Sequence, residues 1–471
     1  MLELDGPTRA AVWEELVRRM EQYTTSIDAR RVTPELDPQI IREVLDAIDF
    51  NEPWAPVDAV HFAADALSRF QTHTPHPRYF GLFNPAPTTM GIAADALVAA
   101  FNPQLAAWSH SPFAIEVEQH LIRALGGQFG YDPGSTDGAF ASGGMEANHT
   151  AVLTALAHQF PEYAERGTRA LTGQPMLYVS SEAHHSFLKA ARMSGIGMDA
   201  VRLIQVGTEL RMDPAALNSA IASDRQQGCE PFLIVGTAGT TNSGAIDPLD
   251  ELADIAEREH VWYHVDAAWG GAAVMVPELR PLLAGIERSD SITFDAHKWL
   301  SVPMGAGVYL TRHRDILERT FRVATAYMPR EAAGLDVIDP HLHSMQWSRR
   351  FTGLKLFLTL LVAGWDGYAE AIRHQAAMGT KLAEKLAGAG WTIANDPVLP
   401  VVCFTEPNQD SAWHHEVAMR VVSSGEAWIS TTLLAGNRTV LRACITNYKT
   451  MPEHLDRLVD SLERARTGLK K

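Results

Sequence analysis

The sequence predicts an α/β protein built on a mostly parallel sheet. Between residues 90 and 309, five short apolar runs alternate with helical patterns and turn signals, at 176–179, 200–205, 232–235, 262–265 and 291–294. Apolar strands that alternate with helices are typical of a parallel sheet whose two faces are both covered. In such sheets ligands bind beyond the carboxyl ends of the strands, so the chemistry is expected there.

Two further regions flank this core. Apolar residues at helical spacing in 9–23, around 36–48 and in 56–70, with no strand between them, predict a helical arm that packs on another domain or subunit. After residue 351 a long helical pattern, alternating stretches at 391–394, 401–404 and 440–444, and an amphipathic helix at 453–464 predict a smaller α+β domain. The expected division is a helical segment over 1–89, a large domain over 90–350 and a small domain over 351–471.

The composition restricts the class of protein. With 471 residues and a formal charge of −16, the chain is large enough for two or three domains and is not suited to nucleic acid or to an anionic membrane surface. No window approaches 18 unbroken apolar residues, and the acidic N-terminus does not resemble a secretory signal. Cys229, Cys403 and Cys444 are far apart and form no CxxC motif, which favours the cytoplasm.

One stretch, Ser291 to Trp299, carries the strongest chemical signal. It places Lys298 between His297 and Trp299, directly after a predicted strand. Apolar and aromatic surroundings disfavour the ammonium form of a lysine and so favour its use as a nucleophile on a carbonyl group. The alternative is a strand that ends in a solvated lysine.

An acid ends the predicted strand at 262–265. Asp266 is followed by Ala267 and Ala268, so it is placed to accept a hydrogen bond from a flat ligand that lies over the alanines. The alternative is an N-cap for a following helix.

A glycine pair precedes an apolar helix in Ser142-Gly143-Gly144-Met145. Backbone N–H groups at a helix N-terminus favour a phosphate, although a simple tight loop would have the same sequence. No Walker pattern and no G-x-G-x-x-G motif is present, so nucleotide binding is not supported.

Two loops after strands add polar groups. His184 and His185 follow the strand at 176–179, but neighbouring side chains point apart and no third ligand has metal-site spacing, so stacking of one imidazole on a ligand ring is preferred to a metal site. The loop from Gly239 to Pro248 offers Thr241, and its Asp247 either caps a helix or orients a partner.

Together these groups are those that pyridoxal 5′-phosphate requires. They are a phosphate cradle, a stacking histidine, an acid for the pyridine nitrogen and a lysine for the aldehyde, all beyond strand ends. The conjunction is more specific than any of its members.

Over almost its whole length the chain resembles the group II pyridoxal-phosphate decarboxylases, which act on aromatic amino acids, glutamate, histidine or diaminobutyrate. The motifs are HPRYF at 76, SGGMEAN at 142, SEAHHS at 181, GTAGTTNSGAID at 236, HVDAAWGG at 264 and DAHKW at 295. The resemblance implies the type I fold of aspartate aminotransferase and a homodimer with shared active sites, in which the arm is the dimerisation segment.

The resemblance also implies roles for individual residues. Lys298 would form the internal aldimine, Asp266 would pair with the pyridine nitrogen, and His184 and Ala268 would lie on opposite faces of the ring. Phosphate would be bound by Gly143, Gly144 and Met145, helped by Ser291 and His297, whereas Thr241 and, less clearly, Asp247 would support the cofactor. Met145 stands where relatives often have a hydroxyl, so only its backbone could donate.

A segment after residue 324 resembles the mobile catalytic loop of the family. Its Tyr327 would protonate the α-carbon, and relatives that form aldehydes tend to carry phenylalanine there. The sequence therefore predicts α-decarboxylation of an L-amino acid to an amine and carbon dioxide. An aldehyde synthase, a lyase or aldolase, or an aminotransferase on the same fold is the alternative, and a non-catalytic relative would have lost the lysine or the aspartate.

The substrate side chain is not defined by the sequence. Phe80 and Phe83 lie in an aromatic loop at 76–85 that is expected to line the substrate site. Thr74, Leu82 and Asn84 replace other aromatics of the aromatic amino acid decarboxylases, which weakens the case for an aromatic substrate. Arg349 and Arg350 either bind a carboxylate or pair at the domain junction, and the junction is preferred.

Overall fold

The computed structural model describes residues 2–323 and 334–469. Its strands, in chain order, are β1 Asp137–Ala141, β2 Pro175–Ser180, β3 Val201–Ile204, β4 Glu230–Thr237, β5 Trp262–Asp266, β6 Ser291–Asp295, β7 Gly307–Thr311, β8 Thr392–Ile393, β9 Val401–Thr405, β10 Ser430–Leu434 and β11 Arg438–Cys444. Its α-helices are α1 Gly6–Ser26, α2 Pro38–Asp46, α3 Pro56–Arg69, α4 Thr89–Phe101, α5 Pro112–Gln128, α6 Gly144–Gln159, α7 Tyr163–Arg166, α8 Ser186–Met193, α9 Pro214–Gln226, α10 Leu249–Glu259, α11 Ile316–Phe321, α12 Pro340–His343, α13 Leu354–Gly388, α14 Ser411–Ser424 and α15 Pro452–Leu469.

A seven-stranded sheet forms the centre of the molecule, with strand order β1-β7-β6-β5-β4-β2-β3. The pairs that link β3, β2, β4, β5 and β6 are parallel, whereas β7 runs antiparallel to both of its neighbours. The predicted mixed, mostly parallel sheet is therefore confirmed. All five predicted apolar runs are strands of this sheet, and β1 and β7 complete it.

Both faces of the large sheet are buried, which explains why its strands read as unbroken apolar runs. In β4, Leu233 and Val235 belong to one hydrophobic cluster, together with residues of α6, whereas Ile234 belongs to the other, together with residues of α10. Successive side chains of a strand point to opposite faces, so a strand covered by helices on both sides needs apolar residues at every position.

A second sheet, of four antiparallel strands in the order β10-β11-β9-β8, forms the C-terminal region. Its core contains apolar residues of α13, α14 and α15. This is the predicted α+β arrangement, to which the structure adds β10.

The N-terminal helices are less buried than the rest. The structure shows α1 packed against α3, and large apolar side chains of the arm stay exposed, among them Trp13, Phe50 and Leu67. No helix within residues 2–323 and 334–469 has the length and apolar character needed to cross a membrane.

The chain after the arm enters the small domain before it reaches the large one. The amide of Phe80 donates to Trp428 O at 2.8 Å, and the amide of Cys444 donates to Phe80 O at 2.9 Å. The Phe80 side chain is wholly buried in the hydrophobic core of the small domain. Residues near position 80 thus belong structurally to the C-terminal region, and the predicted boundary at residue 89 stays a prediction.

Candidate active site

A cavity of about 610 Å³ opens at the carboxyl edge of the large sheet. Its wall includes Thr237, Asp266 and Asp295, which are the last residues of β4, β5 and β6. This is the edge at which ligands bind in parallel sheets, and the volume lies within the ~300–1,000 Å³ of typical small-molecule sites.

The cavity brings together most of the predicted site residues. Those that line it are Gly143, Gly144, Met145, His184, Thr241, Asp266, Ala268, His297 and Lys298. They come from five separate places in the chain, which only the fold brings together.

Lys298 projects into the cavity from the turn after β6. Its Nζ lies 2.9 Å from Asp295 Oδ2, and its side chain is partly exposed. Trp299, beside it in sequence, is buried and packs against Trp269, with ring centroids 5.4 Å apart. The lysine therefore pairs with an acid and remains accessible from the cavity, whose wall also includes Trp269.

Asp266 presents a carboxylate whose two oxygens are each fixed by a donor. Oδ1 accepts from the amide of Ala268 at 3.1 Å, and Oδ2 accepts from Asn148 Nδ2 at 2.8 Å. The next helical turn begins only at Gly270, with Trp269 at its N-cap position and no side-chain capping bond. Asp266 is thus not a helix cap, and its charge is directed to the cavity.

His184 is held as a neutral imidazole. The amide of Ser186 donates to His184 Nδ1 at 3.2 Å, so the ring proton is on Nε2. Burial, as the largest cause, lowers the pKa of His184. Within the part of the chain that the structure describes, no group of three or more His, Cys, Asp or Glu side chains is placed to hold a metal ion.

The glycine loop approaches the lysine turn closely. A Cβ built on Gly144 would lie 2.8 Å from Asp295 Oδ2 and 3.4 Å from Ala268 Cβ, so this position has no room for a side chain. The amide of Gly144 donates to Asp295 Oδ2 at 3.0 Å, and His297 stands beside the loop, with its Nδ1 accepting from the amide of Ala306. Backbone donors, an amine, a carboxylate and a flat alanine surface fit a phosphorylated aromatic aldehyde.

Three residues predicted for the site lie apart from the cavity wall. Ser291 is fully buried at the start of β6, and its hydroxyl bonds to Trp262 and His264. Phe80 does not line the cavity, and its side chain is wholly buried in the core of the small domain. Phe83 stacks on Trp269 at 4.5 Å, and Trp269 lines the cavity in its place.

Two other predicted positions need separate comment. Asp247 is buried away from the cavity, and its carboxylate accepts the amides of Met212 and Thr237, so it fixes the end of β4. Tyr327 lies outside the described residues.

Both arginines of the 349–350 pair are engaged by acids. Arg349 forms a buried ion pair with Glu118 of α5, and Arg350 pairs with Asp95 of α4 at 3.3 Å. Both arginines thus pair with acids, as the preferred interpretation expects, and their position at a domain junction stays a prediction.

Sequence reasoning assigned no role to three residues that the structure places at or near the site. Asn148 holds Asp266, Asp295 holds Lys298, and buried Arg442 donates to the carbonyl oxygens of Thr241 and Gly81. The signal for Asn148 is its place in the SGGMEAN motif, one turn after the glycine pair. No comparable signal marks Arg442, whose partners are distant in sequence.

Comparison with known proteins agrees with this geometry. The model of the pyridoxal-dependent decarboxylase conserved domain matches residues 44–406. An L-2,4-diaminobutyrate decarboxylase of Rhizobium meliloti is 33% identical over 377 residues, which are 79% of this chain and 74% of that protein. An aromatic-L-amino-acid decarboxylase of Bacillus atrophaeus is 29% identical over 464 residues, covering 96% of this chain and 94% of that protein.

Solved structures show the same fold. The crystal structure of Oryza sativa TDC with PLP and tryptamine has a TM-score of 0.93 and 24% identity, and the match covers 100% of both chains. Mouse CSAD has a TM-score of 0.90 and 25% identity, and the match covers 98% of this chain and 99% of that one.

The family model covers well over half of the chain, and the cavity carries the amine, the acid and the backbone donors that its cofactor requires. The chain therefore belongs to the pyridoxal-dependent decarboxylase family and is a pyridoxal-phosphate-dependent carboxy-lyase that acts on amino acids.

Proposed function

We propose that this protein removes the α-carboxyl group of an L-amino acid and releases the corresponding amine and carbon dioxide. The observation that carries the proposal is the meeting of Lys298, Asp266 and His184 in one cavity, beside the amides at the start of α6. When bound, pyridoxal phosphate supplies an electron-withdrawing ring that accepts the electron pair left by the departing carboxylate.

The residues of this chain would divide the work as follows. Lys298 offers Nζ as the attachment point for the cofactor and gives way to the amine of the substrate. Asp266 keeps a negative charge beside the ring nitrogen, so that this nitrogen stays protonated. His184 and Ala268 hold the two faces of the ring, while Gly143, Gly144 and Met145 direct backbone N–H groups to the phosphate, with Thr241 and His297 nearby.

The first experiment is an absorbance spectrum of the purified protein with added pyridoxal phosphate. We expect a visible band that is absent in Lys298→Ala, because the amine of Lys298 is the group proposed to bind the aldehyde covalently. A control variant, Lys189→Ala, removes the other lysine that lines the cavity and should keep the band. No band in the native protein, or an unchanged band in Lys298→Ala, would contradict the assignment of Lys298.

The substrate is then found by measuring carbon dioxide and amine from a panel of L-amino acids. The names of the relatives indicate substrates whose side chains differ in charge. Besides the diaminobutyrate and aromatic enzymes, an acidic amino acid decarboxylase of Mus musculus is 30% identical over 404 residues. The panel therefore includes aromatic, acidic and diamino substrates. An aldehyde with peroxide, a keto acid, or a cleaved side chain in place of an amine would favour the aldehyde synthase, aminotransferase or lyase alternatives.

We further propose that Tyr327 supplies the proton that replaces the carboxylate. This rests on the resemblance of residues 325–329 to the catalytic loop of the family. Because general acid catalysis contributes about 100-fold or more, Tyr327→Phe should lower the rate of amine formation by about that factor and leave the visible band in place. Amine formation at the native rate would remove Tyr327 from the mechanism.

The active protein is proposed to be a cytoplasmic homodimer whose subunits share their active sites. Exposed apolar residues of the arm, such as Trp13 and Leu67, and Phe101 and Phe113 nearby in sequence, support an interface, and the three free cysteines agree with a thiol-keeping compartment. Light scattering after size-exclusion chromatography should give twice the 51.7 kDa of the chain, and Trp13→Glu should shift it toward the monomer. A native monomer with full activity would contradict the shared site.

A further inference from the structure

We infer that Asn148, His264 and Ser291 form a buried hydrogen-bond relay whose proton order is set by its two ends, and that this relay positions Asp266 for the cofactor. The inference rests on the proposed function, because Asp266 receives its role there. The three residues come from α6, β5 and β6. Asn148 and His264 are not among the residues assigned above to the cofactor or the substrate, and Ser291, which the resemblance assigned to the phosphate, is fully buried apart from the cavity wall.

The contacts of the relay are continuous. Asn148 Nδ2 lies 2.8 Å from Asp266 Oδ2, and Asn148 Oδ1 lies 3.3 Å from His264 Nε2. His264 Nδ1 lies 2.8 Å from Ser291 Oγ, which in turn lies 2.8 Å from Trp262 Nε1. All five side chains are at least nine-tenths buried, so water does not compete for these bonds.

The two ends of the relay fix the proton order between them. An ionised Asp266 can only accept, so the amide group of Asn148 that faces it is the NH₂ group, and the oxygen of Asn148 faces His264. His264 Nε2 must then carry the ring proton, which leaves Nδ1 as an acceptor for the hydroxyl of Ser291. At the far end Trp262 can only donate, and Ser291 Oγ accepts from it.

The charge state of His264 is consistent with this order. Burial lowers the pKa of His264 to about 3, so the imidazole is neutral and has one donor and one acceptor nitrogen. Nε2 also lies 3.3 Å from Thr293 Oγ1, which can share the same proton. Both ring nitrogens of His264 therefore have partners that suit the tautomer with the proton on Nε2.

The relay also reaches a second residue proposed to contact the ring, His184. Asn148 Nδ2 donates its second hydrogen to Ser186 Oγ at 2.9 Å, and the amide of Ser186 holds His184. Asn148 thus connects the acid assigned to the ring nitrogen with the histidine assigned to the ring face. The consequence is that a change at Ser291, which does not line the cavity, should alter how the cofactor is held.

The test measures cofactor binding rather than activity. Apoprotein is titrated with pyridoxal 5′-phosphate, the dissociation constant is read from tryptophan fluorescence, and visible circular dichroism reports the orientation of the bound ring. Because a hydrogen bond to a charged group is lost, Asn148→Ala should weaken binding by about tenfold. Ser291→Ala acts through two intermediate residues and should weaken it by about threefold, and both variants should change the dichroism.

Ser289→Ala is the matched control. Ser289 is also fully buried, and its hydroxyl bonds to Tyr131, but it has no link to Asp266. It should leave the dissociation constant and the dichroism unchanged even if it lowers the melting temperature. An equal effect in Ser289→Ala would reduce the relay to a general effect of buried serines and would overturn the inference.

A double variant separates the inference from the proposed function. If Asn148 acts through Asp266, then Asn148→Ala should add almost no further loss of affinity in the Asp266→Asn background. Native affinity and dichroism in Asp266→Asn would contradict the role of Asp266 itself. A strong effect of Asp266→Asn together with native behaviour of Asn148→Ala and Ser291→Ala would overturn the relay alone.

Discussion

At the scale of single residues, one carboxylate oxygen of Asp295 is shared between two partners. Its Oδ2 accepts from the amide of Gly144 and pairs with the Lys298 amine, while Oδ1 is buried with no hydrogen-bond partner. A phosphate bound at the start of α6 would use the same Gly144 amide and would repel the carboxylate. Asp295 and a phosphate bound there would therefore compete for one donor.

Asp295→Asn should therefore bind pyridoxal phosphate more tightly. The variant keeps the shape of the side chain and removes a like charge near the phosphate, which at close range in a partly buried site favours binding by about tenfold. Fluorescence titration of the apoprotein measures the effect. Asp290→Asn, at the amino end of the same strand, should leave the affinity unchanged, and weaker binding in Asp295→Asn would show that the carboxylate supports the cofactor.

The residues that could be predicted from sequence are those whose position follows from the strand on which they lie. Asp266 and Lys298 come at or just after the end of apolar strands, so their place at one edge follows from the parallel sheet. Asn148 acts through Asp266, and Asp295 accepts the amide of Gly144. Both of these partners are more than 100 residues away, and no local pattern identifies them. The packing of Phe80 in the core of the small domain could not be predicted, because an aromatic residue in a loop can fill a core as well as line a site.

At the scale of elements, α13 is interrupted at one residue. Gly364 has φ 64° and ψ −177°, a conformation that is essentially restricted to glycine, and a Cβ there would meet no atom within 4 Å. Gly364→Ala should therefore lower the free energy of unfolding by about 1–3 kcal/mol through backbone strain alone.

Gly388, at the end of the same helix, provides the control for this prediction. It also has open space at the Cβ position but shows no positive φ. Gly388→Ala should be neutral or stabilise by up to about 1 kcal/mol, since alanine loses less chain entropy in a helix. Urea unfolding of both variants gives the comparison, and equal stability of the two would exclude strain at Gly364.

The ion pair between α5 and the segment before α13 is a second element-scale feature. Glu118 and Arg349 are both almost completely buried, so removal of one partner leaves an uncompensated charge. Glu118→Gln should cost about 3 kcal/mol of unfolding free energy. The exposed pair of Glu162 and Arg166 is the control, and Glu162→Gln should cost less than about 1 kcal/mol. Equal losses would show that burial does not matter here.

Helices and strands were predictable where their sequence pattern is local. They were missed where they depend on pairing with a strand that is distant in sequence. The five apolar parallel strands and the long amphipathic helices follow from period and composition. β1 is short and contains Gly138 and two alanines, and it is a strand because it pairs with β7, about 170 residues later. Such pairing depends on the assembled sheet and leaves no periodic signal.

At the scale of the whole molecule, buried histidines make stability depend on pH. Burial lowers the pKa of His264 to about 3, and burial together with Arg78 lowers the pKa of His76 to about 4. The unfolded chain binds protons at these sites below about pH 6.5, whereas the folded protein does not, so acidification favours unfolding. Asp247, whose pKa burial raises to about 6, opposes this in part between about pH 4 and 6.

The free energy of unfolding of the apoprotein should therefore fall between pH 7.5 and pH 5. His264 alone should account for about 2 kcal/mol of that fall, and His264→Gln should reduce the pH dependence by this amount. Urea titrations of both proteins at the two pH values provide the measurement. The same pH dependence in both proteins would mean that His264 becomes positively charged as readily in the folded state as in the unfolded state.

The bonds that join Phe80 to Trp428 and Cys444 also bear on the order in which the chain can assemble during synthesis. The large sheet is complete once residue 311 has left the ribosome, but the segment around Phe80 must wait for β11. At about 5–20 residues per second, the 364 residues from Phe80 to Cys444 take roughly 20 to 70 s to make. During that time the segment around Phe80 has no C-terminal partner, so we expect this early part of the nascent chain to need protection from aggregation.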